Sequence, residues 1–254
     1  MNEIIQHYQA LGWALSALVM GTFLLAGTVK GVIGLGLPTV AMGLLGLAML
    51  PAQAAALLII PSTLTNLWQL AAGGQLRVLI RRLWPLLLMI VIGTGLGSIG
   101  VGMSGGHSMT RALGAALLLY ALSGLLLPTL RIAARHETWL APLCGLLTGI
   151  ITSATGVFVI PAVPYLQALE LERNQLVQAL GLSFTVSTLA LAGGLFWNNA
   201  LGGTELGASL LALIPALLGM WLGQWLRQRI SAQLFKRVFF TGMGALGLHL
   251  LIGG

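Results

Sequence analysis

The sequence contains no aspartate, five acidic residues in all, one cysteine and four histidines among 254 residues. Charged residues of every kind make up 7%, against about 25% in an ordinary soluble domain. A water-soluble surface needs roughly 25–35% Lys, Arg, Glu and Asp, so this shortage excludes a soluble globular enzyme, a disordered tail and a nucleic-acid-binding domain. The lone Cys144 excludes an intramolecular disulfide. His7, His107, His136 and His249 are not spaced as a metal cluster, and no phosphate-cradling P-loop is present. Ser104-Gly105-Gly106-His107 puts a serine near a histidine without a deep partner acid. Neither an enzyme, a bound cofactor, a metal centre nor an ATP-driven pump within this chain is expected.

What the chain has is apolar length: 57% hydrophobic residues and a mean hydropathy of +0.98. A membrane helix needs roughly 20 mainly apolar residues, and segments near 12–33, 53–73, 83–103, 109–128, 175–197, 206–226 and 234–252 meet that length. The N-terminal MNEIIQHYQALGW has no Lys or Arg and no clean small-residue cleavage pattern, so the first segment is expected to be a retained span. Two regions depart from the template. Residues 37–50 are too short and follow the first span across Gly34-Leu35-Gly36; residues 139–168 are too long and are interrupted by Thr152-Ser153-Ala154-Thr155-Gly156. Both read as broken or re-entrant helices, with surplus length in a tilted helix as the plainer reading.

The two odd regions correspond. Gly27-Thr28-Val29-Lys30-Gly31-Val32-Ile33-Gly34 followed by Leu37-Pro38 aligns with Gly145-Leu146-Leu147-Thr148-Gly149-Ile150-Ile151-Thr152 followed by Ile160-Pro161. Ser62 through Gly73 aligns with Ser183 through Gly194 at constant offset, and Gly93 and Gly97 have partners in Gly219 and Gly223. The chain therefore divides into membrane repeats at 1–130 and 131–254. Basic residues set their orientation. Arg77, Arg81 and Arg82 follow the third segment of the first repeat, whereas 198–205 has no basic residue; 104–108 has none, whereas its counterpart carries Arg227, Arg229, Lys236 and Arg237. Under the positive-inside rule the halves face opposite ways, which requires an odd number of crossings per half. Arg131 and Arg135 place 128–138 on the cytoplasmic side as well, so 139–168 should enter and leave there. The expected fold is an all-α polytopic membrane protein of two inverted-topology repeats, each a broken or re-entrant hairpin plus about three full spans.

Inverted repeats with discontinuous helices belong to secondary transporters, which bind substrate where helices break. Gly34, Gly36 and Gly156 let the backbone turn, and Pro38 and Pro161 stand where second half-helices begin; close packing by small residues is the alternative role for such glycines. Glu3, Glu137, Glu170, Glu172 and Glu205 all fall in loops or termini, which disfavours a cation pump or a carboxylate proton relay. The one deep ionisable residue is Lys30 beside the first break. Two roles are open to it: attracting an anion, or capping a helix end and snorkelling to the interface. Ser62 and Asn66 share a helix face, as do Ser183 and Ser187, with Thr65 and Thr185 close by. Thr148, Ser153 and Thr155 stand at the second break. Neutral donors suit a small oxyanion that must bind loosely enough to leave; hydrogen bonding to neighbouring backbone is their alternative use.

The break Gly31-Val32-Ile33-Gly34-Leu35-Gly36-Leu37-Pro38, the segment from Thr148-Gly149 through Ser153-Ala154-Thr155-Gly156 to Pro161, and Ala179-Leu180-Gly181-Leu182-Ser183-Phe184-Thr185 together resemble the sulfite exporter TauE/SafE family, also called the 4-toluene sulfonate uptake permease family. The resemblance covers nearly the whole chain. It implies a duplicated membrane domain that exports or transports sulfite, sulfonates and related oxyanions without a cofactor, in a bacterial inner membrane. The family's run of consecutive glycines is thinned here to Gly34 and Gly36 in one copy and mainly Gly156 in the other, and that departure bears on substrate identity. An anion channel on the same helices and a non-transporting membrane scaffold subunit are the alternatives.

Overall fold

Among the described residues (12–71, 73–100, 107–126 and 131–253 of the computed structural model) the chain is helical, without strands. Glu3, His7 and the Ser104-Gly105-Gly106 loop lie outside them. The helices are α1 (Gly12–Ile33), α2 (Leu37–Leu45), α3 (Pro51–Ala71), α4 (Leu76–Gly100), α5 (His107–Leu126), α6 (Ala134–Thr155), α7 (Ala162–Gln167), α8 (Arg173–Trp197), α9 (Gly203–Leu226) and α10 (Ala232–Gly253). Eight are long and apolar enough to cross a membrane; α2 and α7, with nine and six residues, are not. Large apolar side chains cover the outside, and all seven tryptophans are exposed, from 45% at Trp225 to 88% at Trp13. Lipid is the solvent that suits this surface, and tryptophan is enriched at its interfaces. The protein is an integral, multi-pass membrane protein.

The chain leaves helical geometry after α1 and again after α6. After α1 the chain turns at Gly34 (φ 79°) and Gly36 (φ 105°), left-handed conformations that favour glycine. Pro38 then occupies the first turn of α2, where its missing N–H costs no helical bond. The second break falls later than 152–156. Residues 152–155 complete the last turn of α6, a helix of 22 residues long enough to span by itself, and Gly156 (φ 70°) ends it with its N–H on the Thr152 carbonyl at 2.8 Å. The Thr152 and Thr155 hydroxyls bond back to the carbonyls of Thr148 and Ile151, so these polar residues fit a helix and do not interrupt it. Pro161 precedes α7 as its N-cap residue. The long helices therefore number eight where the apolar runs suggested seven, four on each side of residue 130.

Contacts fix the helix directions. Gly27 lies against Ala216 and Gly31 against Met220 and Gln224, so α1 and α9 run parallel. Gly145 against Leu86 and Gly149 against Ile90 and Thr94 make α6 parallel to α4. At each of these glycines a methyl group would overlap a facing backbone carbonyl, so the helices touch backbone to backbone. In α3 and α8 the sense is opposite: Gln178 reaches Leu70 and Gly73, whereas Thr188 reaches Ser62. Helices α5 and α10 are antiparallel too, with Gly114 near Leu250 and Gly124 near Phe240. Lys30 bonds to Thr65 and Asn66 and Gly34 to Gln69, so α1 runs parallel to α3. Residues 34–50 must therefore carry the chain back along most of α3, about 27 Å at 1.5 Å per residue, and α2 descends beside α5 on the way, Gly43 near Leu117 and Gly46 near Leu113. The α6–α7 hairpin returns likewise, its ends joined where Ile132 N–H donates to the Ala168 carbonyl at 3.0 Å.

Prolines inside spans leave carbonyls without donors. Pro61 frees the Leu57 carbonyl in α3, and Ser209 of α9 donates its hydroxyl to that oxygen at 2.8 Å while accepting Ile60 N–H at 3.0 Å. A buried polar side chain here repairs a helix, the kind of compensation a bilayer demands.

Candidate functional site

The deepest charge belongs to Lys30, one turn before the end of α1 and 2% exposed. Its ammonium donates to Thr65 Oγ1 at 3.0 Å and to Asn66 Oδ1. Asn66 Nδ2 in turn reaches Ser62 Oγ at 3.4 Å and Thr188 Oγ1 at 3.3 Å. Ser62, Thr65, Asn66 and Thr188 are fully buried, and Ser62 stands near the middle of α3. The two halves of the chain thus meet around one cation. No described acid neutralises it: Glu137 pairs with Arg82 at 2.6 Å, Glu170 with Arg131 at 2.9 Å, and Glu172 and Glu205 cap α8 and α9. Moving an ammonium out of water costs several kcal/mol even after relaxation, and charge-assisted bonds to neutral oxygens return about 1.5–3 kcal/mol each. The two bonds together return energy of the same size as that cost, and the ammonium faces no described carboxylate.

Ser183 and Ser187 on α8 are fully buried, and their hydroxyls make no hydrogen bond within the described residues. Buried hydroxyls without partners are rare because each costs about 1–3 kcal/mol, and these two align with Ser62 and Asn66. The other expected residues separate by role. Thr148, which aligns with Lys30, accepts Ala162 N–H at 3.1 Å and so ties α6 to the start of α7. Thr155 accepts Val157 N–H at 3.2 Å and caps the break. Thr185 bonds back to the Gly181 carbonyl at 2.7 Å. Ser153 lies at a cavity near the far end of α8. Gly34, Gly36 and Gly156 shape turns, and the Gly34 carbonyl accepts from Gln69 Nε2.

The family described as Sulfite exporter TauE/SafE matches residues 19–250, nearly the full chain. The chain belongs to that family. No curated protein and no solved structure matches it. TauE/SafE proteins are membrane transporters, not enzymes, which implies a small anion as substrate and the bilayer as surroundings.

Three buried polar residues of this TauE/SafE chain escaped the sequence reading. Thr188 bonds Asn66 from the opposite half; its signal was the Gly181–Phe184–Thr188 stripe at helical spacing, along which Gly181 packs on Asn66 and Gln69. Gln69 and Gln178 stand in apolar helices, where an unexplained amide is itself a signal.

Proposed function

We propose that this protein is a secondary transporter, an exporter by the name of its family, that moves sulfite, a sulfonate or a related small sulfur oxyanion across a bacterial inner membrane by alternating access between two inverted repeats, 1–130 and 131–254. The observation that carries the substrate site is the buried Lys30 ammonium, held by the neutral oxygens of Thr65 and Asn66 and facing no described acid. On this reading Lys30 supplies the charge that selects an anion. Ser62, Thr65 and Asn66 from α3 and Ser183, Thr185 and Ser187 from α8 supply neutral contacts that let it leave. Thr148, Ser153, Thr155, Pro38 and Pro161, with the turn glycines, shape the walls that move. The antiparallel pairs α3/α8 and α5/α10 support the inverted arrangement, because each joins a helix to its counterpart in the other half. Parallel pairs α1/α9 and α6/α4 exchange with one another under the same relation.

Charge gives the orientation. Arg77, Arg81, Arg82, Arg131, Arg135, Arg173, Arg227, Arg229, Lys236 and Arg237 all belong to one end of the bundle by the helix directions, and Arg111 to the other. By the positive-inside rule the first end is cytoplasmic. The deciding experiment is uptake of radiolabelled sulfite, sulfate, sulfonates and small carboxylates into proteoliposomes holding the parent, Lys30→Ala or Ser62→Ala. Saturable flux of a sulfur oxyanion that both substitutions weaken is the expected result. Non-saturating electrogenic flux would make the protein a channel, and the absence of any anion flux would make it a scaffold.

A further inference from the structure

The arginine-poor end of the bundle holds a cavity of about 210 Å³ bounded by Ser98 of α4, Ser153 of α6, Leu191, Gly194 and Leu195 of α8, and Asn198, which caps the end of α8. It exists because glycines leave room. A methyl on Gly194 would press on the Ser98 side chain, its Cβ 3.2 Å away, and one on Gly97 would press on Ser153, its Cβ 3.0 Å away. No charged residue lines the cavity. Along α8, Asn198, Gly194, Leu191 and Ser187 follow at intervals of four, three and four residues, so they share a face. The cavity stops at Leu191, 2% exposed, and the unpartnered Ser187 hydroxyl lies one turn beyond.

The corresponding place at the other end is filled. Gly73, which aligns with Gly194, faces Gln178, and a Cβ at Gly73 would fall 2.6 Å from the Gln178 amide carbon. Gln178 donates to the carbonyls of Leu70 at 2.8 Å and Gly73 at 2.6 Å and accepts Gln75 N–H at 3.0 Å. Gln69 ties down the Gly34 carbonyl nearby. One end is plugged by amides and its counterpart is open.

We infer that the cavity beside Ser98, Ser153 and Asn198 is an outer site for a small oxyanion, and that Leu191 is the barrier between this site and the central hydroxyls. The inference rests on the transport reading above but has a test that does not depend on flux. In a Cys144→Ser background, single cysteines Ser153→Cys, Asn198→Cys and Ser187→Cys are exposed to a membrane-impermeant, sulfonate-bearing methanethiosulfonate applied to either side of sealed vesicles, after gel filtration shows each variant to be folded. Ser153→Cys and Asn198→Cys should react from the arginine-poor side only, and saturating methanesulfonate, an oxyanion that does not consume the reagent, should slow both several-fold. Ser187→Cys should react slowly, and adding Leu191→Ala should raise its rate at least tenfold. Labelling from the arginine-rich side, no labelling of either cavity cysteine, no slowing by methanesulfonate, or an unchanged Ser187→Cys rate with Leu191→Ala would overturn the inference. Labelling as expected in a protein that passes no sulfite would sink the transport reading alone; sulfite flux with unreactive cavity cysteines would sink the outer site alone.

Discussion

Lys30→Met separates a functional ammonium from a structural one. Methionine keeps the length and flexibility of the stem and removes the charge. On the side of folding, the substitution deletes two donated hydrogen bonds. Thr65 loses little, since its own hydroxyl already bonds the Pro61 carbonyl at 2.7 Å. Asn66 Oδ1 loses its donor, which costs about 1–3 kcal/mol. Against that stands relief from the desolvation of an unneutralised ammonium, several kcal/mol. The two charge-assisted bonds that the ammonium forfeits return about 1.5–3 kcal/mol each, so the opposing contributions nearly cancel and the melting temperature in detergent should stay within a few degrees of that of the parent.

Binding should move the other way. An anion about 4 Å from the ammonium gains about 4 kcal/mol at an effective dielectric of 20, and about 1.4 kcal/mol is a factor of ten. Loss of the charge should therefore weaken sulfite binding by two to three orders of magnitude, with Lys30→Arg weakening it less. The assay pairs a sulfite titration of the melting temperature with proteoliposome flux. A folded Lys30→Met protein with parental sulfite affinity would refute the role assigned to the charge. So would a variant several degrees less stable than the parent, because it would make Lys30 a structural residue.

Other outcomes follow from the same contacts. Cysteine introduced at Gln75 should be labelled from the cytoplasm and at Gly202 from outside by an impermeant maleimide; labelling of both from one side would remove the inverted arrangement. Gly31→Ala and Gly149→Ala, whose new methyl groups would overlap the Met220 and Ile90 carbonyls, should each lose about 1–3 kcal/mol of stability by overpacking, whereas Gly21→Ala, with open space around it, should be neutral or slightly stabilising; denaturation in mixed micelles reads both. Ser209→Ala strands the Leu57 carbonyl and the Ile60 N–H and should cost about 1–3 kcal/mol in the same assay, with Ser209→Thr recovering part of it.

Apolar run length exposed most of the spans, because the bilayer imposes a length on them and leaves little freedom. The breaks were legible where glycine must adopt positive φ, at Gly34, Gly36 and Gly156. Their borders were less so: Thr152, Ser153 and Thr155 look like loop residues by type, yet their hydroxyls fold back onto carbonyls of their own helix. Single-residue chemistry marked Lys30, since an ammonium in an apolar span stands out alone. Its partners Thr65 and Asn66 were within reach of helical spacing. Thr188 was not, because its role depends on how α8 crosses α3, a tertiary fact. The amide plug at Gln178 was hidden for the same reason, being made by a side chain from one half closing a corner of the other.

On the two-repeat reading, duplication and divergence fall on different atoms of this fold. Where backbones touch, the halves match: Gly27 and Gly31 against α9 repeat as Gly145 and Gly149 against α4, and a side chain at any of the four would collide with a carbonyl. Where side chains face the centre, they differ: Lys30 aligns with Thr148, and Asn66 with Ser187. A second lysine at position 148 would place two unneutralised ammonium groups in one low-dielectric interior, where their repulsion would add to two desolvation penalties. On the proposed transport reading, one cation and a set of neutral hydroxyls would attract a single small anion and still release it. The twofold frame would then supply two ways out, and the single charge one place to stop between them.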